Sequence, residues 1–451
     1  MVPDPSPVHR SSRHHSVDRI GPGDVIELVS DVGPVPLNVG AILFVAAENG
    51  VDISAVEATF TQRIEEIRRL RQRLVRAPWG LGRPYWVDDD RFEVGVHVSR
   101  VHCPSPGDRD TALACAVDAV TRPLPWTRPL WRSAIITDLV GGQIGLVMVM
   151  HHVLADGIGG LAVLARLVDG TDATEPPHGV AAPSSAPRPS DLLYDCVAER
   201  LDTLRRLPGA VARMRGGWSE LGRGRGRRAP RCSLNVATGF RRKVVSLDVH
   251  LDEVRAVGHR LGATVNDVLL VAATGALAAL LRERNEFPLE LVVSVPVSAR
   301  RSTTSGHLGN RVGVMPVRVP LAGTFEERLT IVAGRTRAQK TRTRGTSSAL
   351  IGPILRLLAA VRLFRWFLDR QQLVNSFLTD LAGPPRQLAI AETPITSIVP
   401  ITATAGNIGA AFAALSYADT LTVTIIVDPD VVPEIHTLAE ALQQQFRTAT
   451  E

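Results

Sequence analysis

Ile144-Gly-Leu-Val-Met-Val-Met150 runs directly into His151-His152-Val-Leu-Ala-Asp156-Gly157, and the rest of the chain is read outward from this stretch. The apolar run has the character of a buried strand, and strand geometry sends neighbouring side chains to opposite faces. Of two adjacent histidines at its end, one imidazole therefore faces a cleft while the other turns into the protein. Asp156 follows four residues on, in a turn able to fold back toward the strand end. Gly157 is expected to supply backbone freedom in that turn. An imidazole titrates near working pH, so the arrangement suits a general base. Two other readings use the same residues. One is a structural histidine pair satisfied by backbone carbonyls. The other is a zinc site of His151, His152 and Asp156, which adjacent strand residues serve badly because they cannot easily face one metal. No His-Glu-x-x-His is present, so no metal is expected. The pair His14-His15 is a decoy: Asp18 stands at the wrong spacing and no glycine follows it.

Around this centre the periodicity alternates between strand and helix. Val39–Ala47 reads as a strand, Val51–Leu74 and Thr111–Val120 as helices, Arg132–Asp138 as a strand and Ile158–Val168 as a helix. Between Gly170 and Asp191 the composition shifts to Pro, Ala, Ser and Thr, which marks a linker. Lys243–Leu251 alternates as a strand. A long helix over Thr264–Glu283 opens on Thr264-x-x-Asp267, the pattern of a capping box. Leu291–Val297, Val312–Val319 and parts of Ile395–Val427 read as further strands. Both halves mix strands with helices, so the fold class is α/β (α+β) in two subdomains of similar size.

The chain has 451 residues, 45% hydrophobic and 21% charged, which is a globular composition. Its four cysteines are scattered with no Cys-x-x-Cys, so neither a disulfide framework nor a zinc ribbon is expected. Aromatic residues make up only 4%, against a base-stacking surface, and no nucleic-acid partner is expected. The net charge of +6 is uneven: Arg205–Lys243 holds twelve Lys/Arg and one acid, Glu220, leaving the remainder at 6 − 11 = −5. The first residues carry no apolar core of a signal peptide, and the uncharged stretch Thr393–Ala418 is too rich in Pro, Gly, Ser and Thr for a spanning helix. A cytoplasmic protein, soluble or peripheral, is expected. In Ala349–Arg370 the charged residues fall on about half the helical circumference, the pattern of an interfacial amphipathic helix or of a core helix with a solvated face.

The stretch His151-His152-x-x-x-Asp156-Gly157 resembles the signature of the CoA-dependent acyltransferase superfamily. More closely, the chain resembles the bacterial wax ester synthase/diacylglycerol O-acyltransferase family over about residues 20–446. The matching pieces are Pro36-Leu-Asn-Val-Gly40, Arg128-Pro-Leu-Trp131, Thr264-Val-Asn-Asp267-Val, Pro296-Val-Ser-Ala-Arg300, Leu308-Gly-Asn310-Arg311 and Leu415-Ser-Tyr417. The chain departs from the family at Asp380-Leu-Ala-Gly-Pro384, where Asn-Val-Pro-Gly-Pro is usual, and at Asn38, where His is favoured.

The resemblance implies two chloramphenicol-acetyltransferase-like subdomains with the active site at their interface. The corresponding division is a tail at 1–19, an N-terminal subdomain at 20–169 with the His-His motif, a linker and basic segment at 170–243, and a C-terminal subdomain at 244–451. It implies His152 as proton acceptor, His151 and Asp156 as bracing residues, and Gly157 and Asn310 in support. The substrates implied are a long-chain acyl-CoA and a diacylglycerol or fatty alcohol, met at a membrane or lipid-droplet surface, with no separate cofactor. Two further functions fit the same residues: a condensation-type acyltransferase of specialised lipid or peptide assembly, and a catalytically silent lipid-binding relative.

Overall fold

The computed structural model describes residues 17–46, 50–78, 80–154, 157–169, 187–201, 228–298, 312–342, 363–402 and 404–450. The first half begins with α1 (Pro22–Ser30), whose Pro22 stands at a position where its fixed φ suits the helix. The Gly21 amide donates to Asp24 Oδ2 at 2.7 Å and closes the helix start. Next come β1 (Asn38–Val45) and α2 (Ile53–Glu66), which buries Val56, Phe60 and Ile64. The sequence pattern extends this helix to Leu74, but it ends at Glu66. A 3₁₀ turn at Arg68–Arg71 follows, then β2 (Gln72–Val75) pairs with β3 (Tyr85–Asp88). Two bonds override the helical spacing. Trp131 Nε1 donates to Leu70 O at 2.6 Å, and Gln72 Nε2 donates to Asp88 Oδ1 at 2.8 Å.

The half continues through β4 (Val98–His102), α3 (Arg109–Thr121), β5 (Trp131–Thr137), β6 (Ile144–His151) and α4 (Gly157–Leu167). A helix, α5, occupies 189–201, so Asp191 is helical rather than part of a linker. Residues 170–186 and 202–227 of the expected linker and basic segment lie outside the described residues.

The second half holds β7 (Lys243–His250), α6 (Leu251–Arg260), α7 (Val265–Glu283), β8 (Glu290–Ser298), β9 (Val312–Pro320), α8 (Phe325–Arg342) and α9 (Phe364–Leu368). After these come β10 (Ser376–Ala382), β11 (Ala389–Ile390), β12 (Thr393–Ile401), β13 (Ala410–Tyr417), β14 (Thr420–Val427) and α10 (Ile435–Thr450). The expected capping box is present: Thr264 N donates to Asp267 Oδ2 at 2.9 Å, and the Asp267 amide donates to Thr264 Oγ1 at 3.3 Å. By length and composition α7 is apolar enough to cross a membrane, yet 78% of its most apolar window is buried in the core of this half.

Two six-stranded sheets result, in the orders β11-β12-β1-β6-β5-β4 and β7-β14-β13-β10-β8-β9. β12 belongs to the second half by chain position but pairs antiparallel with β1 of the first. A division at residue 244 therefore does not follow the sheets. The two halves meet on a shared apolar seam that includes Ile42, Val149 and Val399 on one side and Val244, Ala413 and Ile426 on the other. Arg109 adds a two-pronged ion pair to Asp248 at 2.9 and 3.1 Å. β6 contributes Val147 and Val149 to this seam and ends at His151.

Candidate active site

His151 ends β6 and His152 follows it in a turn, and the two have different surroundings. His151 is 2% exposed, while the His152 side chain keeps 25% of its surface. The first imidazole is locked. The Val153 amide donates to His151 Nδ1 at 3.0 Å, which leaves the ring proton on Nε2, where it is donated to Asp31 Oδ2 at 3.1 Å. Both ring nitrogens are thus used within the protein. His151 has no lone pair to offer a substrate hydroxyl, and the base role falls to His152.

Asp31 ends α1 and is held by two donors, His151 Nε2 and the Leu37 amide at 2.9 Å. Burial pushes the Asp31 carboxyl upward, but these hydrogen bonds and the imidazole together hold it below the usual range. Leu37 in turn accepts from the His152 amide at 2.9 Å. The end of α1, the start of β1 and the end of β6 are therefore tied at one point. One helical turn before Asp31, Glu27 Oε2 lies 3.8 Å from His152 Nδ1. Trp126 stands edge-on to the His151 ring with centroids 5.1 Å apart. Sequence reasoning missed Asp31, Glu27 and Trp126. The available signal was the i, i+4 spacing of Glu27 and Asp31 behind a helix-starting Pro22.

Gly157 opens α4 at a close approach to the second half. A Cβ there would lie 2.9 Å from Leu381 Cδ2. Since Leu381 belongs to β10, this contact brings the second half against the motif. Gly157→Ala is expected to turn the Leu381 side chain aside and lower kcat only about threefold, because the nearest atoms are the ends of a side chain that can rotate. Gly157→Ala/Leu381→Ala should regain most of the loss in a steady-state assay. An unaltered kcat in the single variant would show the close approach to be irrelevant. Asp156 and Asn310 lie outside the described residues, so their expected places beside the base are not described.

The other motif residues divide into structural and site-facing groups. Trp131 is buried, bonded to Leu70 and stacked on His97 at 4.5 Å, so Arg128-Pro-Leu-Trp131 acts through packing. Tyr417 Oη donates to Ile395 O at 2.9 Å and accepts from the Leu388 amide at 2.7 Å. It pins β12 to the second sheet, and burial pushes its hydroxyl pKa up. Asn38 is opposite His151 in the β1–β6 register, yet its Nδ2 donates to Val120 O and Arg122 O at the end of α3. The amide thus ties α3 to the strand beside the site. In Asp380-Leu-Ala-Gly-Pro384, a Cβ at Gly383 would sit 2.3 Å from Ser416 O, so this glycine is required by the approach of two backbones. Asn266 is half-buried in the first turn of α7.

Comparison with known proteins assigns these two sheet-bearing halves, with an accessible imidazole just past the end of β6, to a class of acyltransferases. Residues 21–269 match the wax ester synthase/diacylglycerol acyltransferase catalytic domain and residues 308–449 the C-terminal domain of the same group. The chain belongs to the wax ester synthase/diacylglycerol acyltransferase family. A probable diacylglycerol O-acyltransferase of Mycobacterium tuberculosis is 30% identical over 420 residues, spanning 91% of this chain and 90% of that protein. A putative diacylglycerol O-acyltransferase of Mycobacterium bovis matches equally well, at 30% over 420 residues. Among solved structures, the wax ester synthase/diacylglycerol acyltransferase from Marinobacter aquaeolei superposes with a TM-score of 0.68 at 21% identity, covering 96% of this chain and 98% of that one. The first condensation domain of the CDA synthetase shares the fold, with a TM-score of 0.60 at 19% identity and 96% of both chains covered.

Proposed function

We propose that the protein transfers the acyl group of a long-chain acyl-CoA to the hydroxyl of a diacylglycerol, with long-chain alcohols as a second acceptor class. His152 is the general base, and neither metal nor cofactor takes part. The observation that carries this reading is the division of labour between the two imidazoles: His151 is consumed by Val153 and Asp31, while His152 retains an accessible edge.

The chemistry balances with one base. His152 takes the proton of the acceptor hydroxyl as the oxygen attacks the thioester carbonyl. A C–O bond forms and the carbonyl becomes a tetrahedral oxyanion. Its collapse breaks the C–S bond, and the departing thiolate recovers the proton from the imidazolium as CoA thiol. No acyl-enzyme intervenes, so no nucleophilic Ser or Cys is needed. The test is purified protein with labelled long-chain acyl-CoA and an equimolar mixture of diacylglycerol and hexadecanol, products separated by lipid class. Labelled triacylglycerol in excess of wax ester supports the reading. Transfer only from a carrier-protein thioester, with free acyl-CoA inert, favours the condensation-type function instead.

Such an acceptor is nearly insoluble in water, so the enzyme meets it at a lipid surface on the cytoplasmic side. Support comes from exposed apolar side chains beside basic ones. Leu363 and Trp366 are exposed, with Arg370 over the Trp366 ring, whereas Phe364 is buried and packs on Phe367. On α5, Leu193, Val197 and Leu201 form an exposed stripe at i, i+4 spacing. Residues 349–362 of the expected amphipathic stretch lie outside the described residues. Leu363→Ser/Trp366→Ser is expected to weaken binding to anionic vesicles and triacylglycerol synthesis together, roughly tenfold, while sparing acylation of a short soluble alcohol. Equal loss with both acceptors would show that these side chains act elsewhere.

A further inference from the structure

We infer that Glu27 is a positioning residue for His152, holding its Nδ1–H so that Nε2 is the nitrogen presented to the acceptor hydroxyl. The inference rests on the reading of His152 as the base. Glu27 is placed by the same bonds that lock His151. Asp31 is fixed by His151 Nε2 and the Leu37 amide, Leu37 O is fixed by the His152 amide, and Asp31 N returns to Glu27 O at 3.2 Å. With Asp31 held at both carboxylate oxygens, the residue four positions earlier lies on the same helix face. That residue is Glu27. α1 therefore offers one carboxylate to each of two successive imidazoles, Asp31 to the buried one and Glu27 to the accessible one.

The Glu27 contact is looser than the Asp31 contact, 3.8 Å against 3.1 Å. Catalytic contacts that are long in the free enzyme tighten in the substrate complex. Its chemical effect is twofold. A carboxylate at Nδ1 selects the tautomer with the lone pair on Nε2, and it stabilises the imidazolium that forms when the hydroxyl proton is taken. Among the described residues, the titratable groups next to His152 are Asp24, Glu27 and Asp31 at α1 and the adjacent His151. Asp24 is engaged by the start of α1, and Asp31 by His151.

The experiment compares full-length wild type with Glu27→Gln, Glu27→Asp, His152→Ala and His152→Ala/Glu27→Gln. Steady-state kinetics are read with long-chain acyl-CoA and a soluble alcohol, and the His152 ring is titrated by NMR without substrate. Glu27→Gln is expected to lower kcat roughly tenfold with KM for acyl-CoA unchanged. The sign of the pH effect follows from the lost carboxylate: the imidazolium is less stable, so the His152 titration and the rising limb of kcat/KM both move to lower pH. Glu27→Asp should restore most of kcat. The Gln change should add nothing in the His152→Ala background, because Glu27 acts through that ring. An unmoved His152 titration in Glu27→Gln overturns the inference, as does a further loss in the double variant. The two readings fail separately. A collapse of kcat in His152→Ala with a silent Glu27→Gln overturns only the role of Glu27. A His152→Ala enzyme close to wild type overturns the base itself.

Discussion

His152→Ala is expected to lower kcat by at least ~10²-fold, because a positioned general base contributes about 10²–10⁴ to such a transfer. Removing the ring leaves the acceptor hydroxyl with water as its proton acceptor, a base far weaker than imidazole. The binding surfaces for both substrates stay in place, so KM should change little, and the loss belongs to the transition state. The fold should tolerate the change. His152 is partly exposed, and its backbone bond to Leu37 O survives substitution. An enzyme within threefold of wild type would remove His152 from the mechanism.

The second large effect is on stability. His151→Ala should reduce kcat less than His152→Ala, but it leaves the Asp31 carboxylate with the Leu37 amide alone as donor and Oδ2 without one, in a site where its side chain is only 16% exposed. A charged hydrogen bond lost in such a place costs about 2–3 kcal/mol, which should show as a clear fall in the denaturation midpoint. Asp31→Asn should lose a similar amount, since His151 and Leu37 donate to different carboxylate oxygens and the amide turns an NH2 toward one of these donors. The pH dependence has a definite sign. Asp31 titrates below its ordinary value when folded, so its contribution is complete above the unfolded value of about 4 and disappears as pH falls through the folded one. The gap between wild type and Asp31→Asn should therefore be full at neutral pH and close below about pH 4. A gap that is constant across this range would show that the Asp31 charge contributes nothing.

Much of the fold was legible because its signals are local. The capping residues Thr264 and Asp267 start α7 where the spacing says, and the apolar run into His151 is a strand with its two imidazoles in different environments. What the sequence hid depends on contacts between distant positions. The helix at Ile53–Glu66 stops short because Trp131 takes the Leu70 carbonyl from 61 positions away. β12 leaves its own half because the seam needs an apolar strand against β1, and a run such as Ile395–Ile401 carries no mark of which sheet it joins. Asp31 is 120 positions from His151, so no spacing rule links them. At Gly157 the turn pattern suggested backbone freedom, and what the structure shows there is the close approach of Leu381 from the other half.

Direct transfer from thioester to hydroxyl is the central claim, and one stoichiometry tests it. Purified protein is mixed with acyl-labelled long-chain acyl-CoA and diacylglycerol, and the reaction is quenched over the first turnovers. Released CoA thiol, labelled triacylglycerol and label on the protein are counted together. Thiol and triacylglycerol rising one for one, with no label held by the protein, is the predicted result. Thiol released ahead of neutral lipid, with label retained on the protein or appearing as free fatty acid, would contradict it.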